Sequence, residues 1–333
     1  MNTVALNRLR AWMQVQGLAQ FFVQQPENFA WLTGGDNTVV AFRPAPAWLE
    51  VTPETVRLHS SQIEAGRLLD EETPGLETVR YPWYAPPAPD GPNDSQHDLT
   101  ALRLVLSEGE QEALRRLGRD TANALGESVR FADPDWSEAE LAGAISEELW
   151  SKGIQPLVLL TAGEERIFRY RHPLPKARAL GRLFMGVVCG RRGGLIASVS
   201  RLGSFGHPEA KALNHAVCEI EAAMLEASRP GATLGEVIEV TRAAYAAVGR
   251  GSEFENHHQG GLTGYRTREV VARPGIPTRL EAGMALAWNP TLPGGKVEDT
   301  FLLTADGLEN LTPDPKWPMM EIGGRSRPLV YEG

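Results

Sequence analysis

The chain has 333 residues, 42% of them hydrophobic and 23% charged, an ordinary folded-protein composition with length enough for two domains. A formal net charge of −9 with scattered basic residues argues against nucleic-acid partners and anionic membrane surfaces. No run reaches the ~20 apolar residues of a membrane span and no signal peptide is legible, so no membrane association and a cytoplasmic location are expected.

Leu6, Leu9, Trp12 and Met13 recur at helical spacing, and Gly17 stops that helix. LAQFFV (18–23) reads as a buried strand. QPENFAWLTGG (25–35) reads as a proline-containing turn, and Ala41–Phe42 and Trp48–Val51 suggest further strands. APPAPDGPND (85–94) cannot sustain a helix or a ladder and is predicted to lie in a linker. The expected division is a small domain over 1–84, a linker over 85–102 and a large domain over 103–333.

Beyond the linker, helices are predicted at 107–129 and 137–153, opened by Ser107 with Glu110 and by Ser137 with Glu140, the reciprocal capping pattern. Strands are expected at 157–163 and 182–190, helices at 207–231 and 233–249, and strands at 284–290 and 301–305. Cys189 and Cys218 lie in apolar surroundings and are expected to be buried free thiols in a reducing compartment.

NHHQGGLTGYRTRE (256–269) poses the functional question, because adjacent histidines precede a glycine pair and then a tyrosine. Its glycines form no phosphate loop, since no GK[ST] follows. The surrounding chain resembles the pita-bread metallopeptidase family of proline dipeptidase, aminopeptidase P, methionine aminopeptidase and creatinase. Three segments carry the likeness: LRAWMQVQGLAQFFVQQPENFAWLTG near the N-terminus, RPGATLGEVIEVTRAAYAAVG, and LEAGMALAWNP followed by KVEDTFLLTADGLENLT. The resemblance implies an α+β fold: a small N-terminal creatinase/prolidase-type α/β domain, then a pita-bread domain with the site in its cleft. It also implies a homodimer and a small peptide or small molecule as ligand.

Peptidases of that family hold two divalent metals through two Asp, one His and two Glu. Two dications repel by roughly 19 kcal/mol at ~3.5 Å with an effective dielectric near ~20, which is why four carboxylates are needed. Carried over residue by residue, the resemblance puts Val187 (or Val188, one register away) and Ser198 at the aspartate positions. His258 stands at the histidine position, with His257 as the adjacent alternative. Asn289 and Glu298 stand at the glutamate positions. No Asp occurs from Val187 to Gly206. One carboxylate cannot neutralise two dications, so the dinuclear site is expected to be lost. No cofactor is expected; a single weakly held divalent metal on His258, Glu298 and Asn289 stays open.

Creatinase, within the same resemblance, implies a metal-free alternative in which an upstream histidine serves as acid and base. RHPLPKAR (171–178) matches that segment and makes His172 the candidate. The expected catalytic group is therefore His172, His258 and Glu298, with His257, Tyr265, Asn289 and Arg268 around the ligand. Simpler readings stand beside each choice. His172 is equally a loop histidine, His257 and His258 satisfied core histidines, and Tyr265 packing. Glu298 and Asp299 are equally ion-pair partners of Arg266 or Arg268. Arg191, Arg192 and Arg201 read as solvated or paired charges. Three functions follow, in order: a non-peptidase that binds a peptide or small molecule, a metal-free C–N hydrolase, and a proline dipeptidase with atypical metal binding.

Overall fold

The structure is a computed structural model and describes residues 1–35 and 47–333. The strand predicted at Ala41–Phe42 lies outside the described residues. The chain divides into two units, Met1–Leu104 with Gly193–Leu195, and Val105–Arg192 with Ile196–Gly333.

In the first unit, α1 (Thr3–Val15) opens at Asn2, whose side-chain oxygen accepts the Ala5 N–H at 3.2 Å. Its apolar spacing buries Leu9 and Met13. β1 (Phe21–Val23) follows. The turn predicted after it is instead a helix, α2 (Pro26–Thr33). Pro26 opens this helix, where a missing N–H costs nothing, and Asp94 accepts the N–H groups of Gln24 and Gln25 and the Asn28 amide, each at 2.9 Å. The predicted linker therefore belongs to this unit, which runs to Leu104 and not to 84. Its Pro- and Gly-rich chain forms no ladder of its own but supplies the carboxylate that caps α2. β2 (Ala47–Val51), β3 (Val56–Ser61) and β4 (Glu77–Tyr81) complete a sheet of order β1-β2-β3-β4, antiparallel except for the parallel β3–β4 pair.

The second unit opens with α3 (Glu108–Arg130) and α4 (Glu138–Trp150), both capped as predicted. The Ser107 and Ser137 N–H groups donate to Glu110 and Glu140, each at 2.7 Å. β5 (Gln155–Ala162), β6 (Leu183–Arg192) and β7 (Leu195–Ser204) come next, then α5 (Ala210–Ala227) and α6 (Leu234–Ala247). The remaining strands are β8 (Gly260–Thr263), β9 (Val270–Val271), β10 (Ala285–Trp288), β11 (Thr291–Leu292), β12 (Gly295–Lys296), β13 (Asp299–Thr304), β14 (Gly307–Asn310), β15 (Met319–Ile322), β16 (Arg325–Pro328) and β17 (Tyr331–Glu332). Two sheets dominate, of order β14-β13-β10-β8-β9 and β17-β7-β6-β5.

Several hydrogen bonds stitch these sheets together, two of them from the β7 backbone. The Ser200 N–H donates to the Glu298 carbonyl at 3.0 Å, and the Ser198 N–H donates to Thr300 Oγ1 at 2.8 Å. Behind the seam lies a buried ion network. Asp299 accepts from Arg201 at 2.8 Å and from Arg327 at 2.6 Å, and Arg327 Nε donates to Glu221 at 2.7 Å. All four side chains are buried, so their charges depend on one another for compensation. This network ties β7, β13, β16 and α5 into one block and fixes the start of β13, just after Glu298.

Candidate functional site

The glycine pair of the motif is explained by backbone approach. Gly260 and Gly261 have φ of +111° and +149°, and a Cβ on either would collide with the carbonyl oxygen of Ala287 or Val270. β8 can thus lie between β9 and β10, which positions the His257–His258–Gln259 segment that leads into it. His257 leaves the 3₁₀ turn Gly251–Asn256 in extended conformation, and His258 follows. His172 comes from the loop after the short helix Glu164–Ile167.

These three histidines meet. Their ligand nitrogens lie within 4.8 Å of one another. His257 Nε2 and His172 Nε2 are 3.0 Å apart, and the His257 and His258 rings stack at 4.5 Å and 22°. His257 is buried, whereas His172 and His258 are exposed. His257 Nδ1 is buried without a hydrogen-bond partner. Leaving a lone pair unmet costs less than leaving an N–H unmet, so we assign His257 as the donor to His172.

Burial first, then nearby positive charge, holds all three rings below the ordinary histidine range. Burial, Lys296, His258 and His172 push His257 far down, burial and Arg268 bring His258 to about 4, and burial and Lys296 lower His172. At neutral pH the cluster is a set of uncharged imidazoles, able to accept or donate protons or to ligate one borderline metal ion.

Glu298 lies beside them with both oxygens engaged. Oε2 accepts from Ser200 Oγ at 3.0 Å and Oε1 accepts from Arg268 Nη2 at 2.7 Å. The ion pair with Arg268 is the one the sequence suggested, whereas Asp299 pairs with Arg201 and Arg327. Asn289 is held by its N–H to the Gln259 carbonyl at 3.1 Å, and its buried Oδ1 has no partner.

Val187 and Ser198 are buried on β6 and β7. Ser198 Oγ donates to Cys189 Sγ at 3.3 Å. Alternation puts Val187 on the strand face of Cys189 and Val188 on the other. The thiol of Cys189 is pushed up to about 11, chiefly by burial and then by Glu298. Cys189 and Cys218 are buried and free, as predicted.

Tyr265 is held by two carboxylates, as the packing reading expects. Its hydroxyl donates to Glu110 at 2.8 Å and its N–H to Glu269 at 2.9 Å, so α3 takes up the polar end of the side chain.

Two further side chains stand beside Glu298, Lys296 and Ser200. Lys296 is 3% exposed. Burial lowers its proton affinity, Glu298 raises it and Arg268 lowers it again. The available signal was proximity in sequence, since Lys296 stands two residues before Glu298.

Comparison with known proteins places this geometry. The model of "Metallopeptidase family M24" matches residues 112–305, and that of the "Creatinase/Prolidase N-terminal domain" matches residues 6–126. An uncharacterized peptidase of Staphylococcus haemolyticus is 25% identical over 66% of this chain and 65% of its own length. The probable dipeptidase PepE of Mycobacterium tuberculosis is 26% identical over 65% of this chain and 60% of its own length. The chain thus spans less than two thirds of these curated relatives.

Among solved structures, the prolidase from Pyrococcus horikoshii superposes with a TM-score of 0.75 at 17% identity, covering 93% of this chain and 98% of that one. Dipeptidase PepE from Mycobacterium ulcerans gives 0.74 at 20% identity, covering 94% and 95%. At these identities the likeness is one of fold. No helix among the described residues is long and apolar enough to cross a membrane. With both domain models matched in order and the pita-bread architecture shared with the prolidases, the chain belongs to metallopeptidase family M24.

Proposed function

We propose that this Xaa-Pro dipeptidase-like protein binds a small peptide or small molecule in its cleft and works without a dinuclear metal centre. The supporting observation is the state of Glu298. It is the one carboxylate among Val187, Ser198, His258, Asn289 and Glu298, and Arg268 and Ser200 already take both its oxygens. Two dications would have to displace a guanidinium and then sit beside Lys296 with no further carboxylate at those positions. The residues present do not fit that pair of ions.

The three imidazoles are a better match for a single borderline ion than the former carboxylate positions are, although Lys296 opposes any cation there. Metal content of protein purified without chelator, together with turnover of Xaa-Pro dipeptides under added manganese, cobalt or zinc, tests the proposal. The expected result is well under one equivalent of metal and no turnover. Metal-dependent cleavage would instead establish an atypical proline dipeptidase.

A second reading draws on the 3.0 Å contact between His172 and His257. Two neutral imidazoles sharing one hydrogen bond can move a proton, which suits metal-free hydrolysis of a C–N bond with His172 as acid and base. A panel of small amides and amidines tests it. Turnover that disappears in His172→Ala supports this reading, and turnover that persists removes His172 from the mechanism.

A further inference from the structure

We infer that Glu253 is a positioning residue: through Arg171 it holds the loop that carries His172 against the turn that leads to His257, and so maintains the contact between the two rings. This role deepens the acid–base reading of His172 and rests on it for its effect on turnover.

The loop is tied down at its neck and has few bonds at its tip. Glu138, buried at the start of α4, accepts the Gly163 N–H at 2.9 Å and the Lys176 N–H at 3.0 Å, and Arg166 pairs with the same carboxylate. These bonds close the loop at both of its ends. From Arg171 to Pro175, no N–H or carbonyl bonds to other backbone among the described residues. The Leu174 carbonyl accepts from Arg166 Nη2 at 3.0 Å. A segment with so few backbone bonds keeps its place through side-chain contacts.

At the tip, Arg171 Nη2 donates to Glu253 Oε2. Arg171 directly precedes His172, and Glu253 lies on the 3₁₀ turn Gly251–Asn256, which His257 follows. The ion pair and the 3.0 Å contact between His172 and His257 are therefore two rungs between the same two segments. Among the described residues no other hydrogen bond joins them.

Of the two rungs, the ion pair is the stronger. A charge-assisted bond is roughly twice as strong as a neutral one, and this pair is largely withdrawn from water, with side chains 15% and 20% exposed. A bond between two imidazoles, one of them open to water, does not hold such a loop by itself. Asn256 Nδ2 donates to the same Glu253 oxygen at 3.0 Å and orients the carboxylate from within the turn. An acid or base must sit within hydrogen-bond reach of its partner, and a displacement of ~1 Å can cost about a hundredfold in rate. The placement of His172 is thus set by a carboxylate that hydrogen-bonds to neither ring.

The test uses the full chain with isotope-labelled histidine. The N–H that His257 shares with His172 is expected to give a slowly exchanging, downfield imidazole proton signal, assigned by its loss in His172→Ala and in His257→Asn. Glu253→Ala should abolish this signal and speed amide exchange over 168–176 by about tenfold or more, with exchange in α3 unchanged and the melting temperature within a few degrees of the parent. Glu253→Gln keeps a hydrogen bond to Arg171 without the charge and should restore part of the signal. Arg171→Ala should reproduce the loss, and the double variant with Glu253→Ala should be no worse than either single variant.

A signal that survives in Glu253→Ala, loop exchange unchanged in that variant, or a parent without the signal overturns the inference. Where the amide and amidine panel gives turnover dependent on His172, Glu253→Ala should lower kcat about tenfold or more and leave KM within about twofold. An unchanged kcat there overturns the positioning role. A panel without turnover counts against the acid–base reading alone, and the proton signal still decides this inference.

Discussion

Arg268 Nη2 lies 2.7 Å from Glu298 Oε1, so a guanidinium holds the carboxylate that the family resemblance assigns to metal. The pair is nearly dry, with side chains 10% and 3% exposed. Arg268→Met should therefore destabilise the fold by about 3 kcal/mol, the low end for breaking a buried pair, because Lys296 can partly take over. Urea denaturation measures this. A loss below ~1 kcal/mol, the value of a surface pair, would show that the contact is not structurally important.

The network behind the seam should be less forgiving. Arg327 serves both Asp299 and Glu221, and all three are buried. Arg327→Met leaves two buried carboxylates facing each other and should cost at least ~3–5 kcal/mol. Equilibrium unfolding of the variant, if it accumulates folded at all, is the check. A change within ~1 kcal/mol would contradict the ion network described here.

Stability should fall in mild acid. The three histidines have folded-state values below the ~6.5 of free imidazole, so the fold favours their neutral forms. That stabilisation is complete above about pH 6.5 and is lost as pH falls toward the value of about 4 held by His258. Solvent at His172 and His258 screens part of the effect, leaving on the order of 1 kcal/mol, or about 2–4 °C in melting temperature. Melting curves from pH 8 to 4.5 read it, and His257→Asn should flatten the slope. An unchanged slope would place the acid sensitivity elsewhere.

Neither thiol should react in the native protein. Burial pushes Cys189 up to about 11 and Cys218 higher still, and both are buried. A chromogenic disulfide reagent at pH 8 should titrate no thiol until urea is added, and then two. Fast native labelling of Cys189 would mean that the cleft opens to solvent.

Tyr265→Phe should cost stability and spare binding. It removes the hydroxyl that reaches Glu110, a hydrogen bond to a carboxylate worth about 1.5–3 kcal/mol. Any thermal shift given by an added Xaa-Pro dipeptide should be unaltered. A lost shift in this variant would restore Tyr265 to the ligand site.

How much of this was legible in sequence depends on the range of the interaction. Ser107 with Glu110 and Ser137 with Glu140 cap their helices through contacts three residues apart, so α3 and α4 could be read directly. The helix at Pro26 was read as a turn because its capping carboxylate, Asp94, lies far along the chain in the segment taken for a linker.

By itself the amino-acid sequence determined the family and the capped helices of the large unit, and it put no carboxylate at Val187, Ser198 or Asn289. These follow from residue identity and local spacing. Only the tertiary structure decided that His172 meets His257, that Tyr265 is taken up by Glu110, and that Lys296 is buried beside a Glu298 already held by Arg268. Each of these facts depends on groups brought together from distant parts of the chain. Burial and the choice of partner, which set the charge of the cleft, exist only after the sheets have paired.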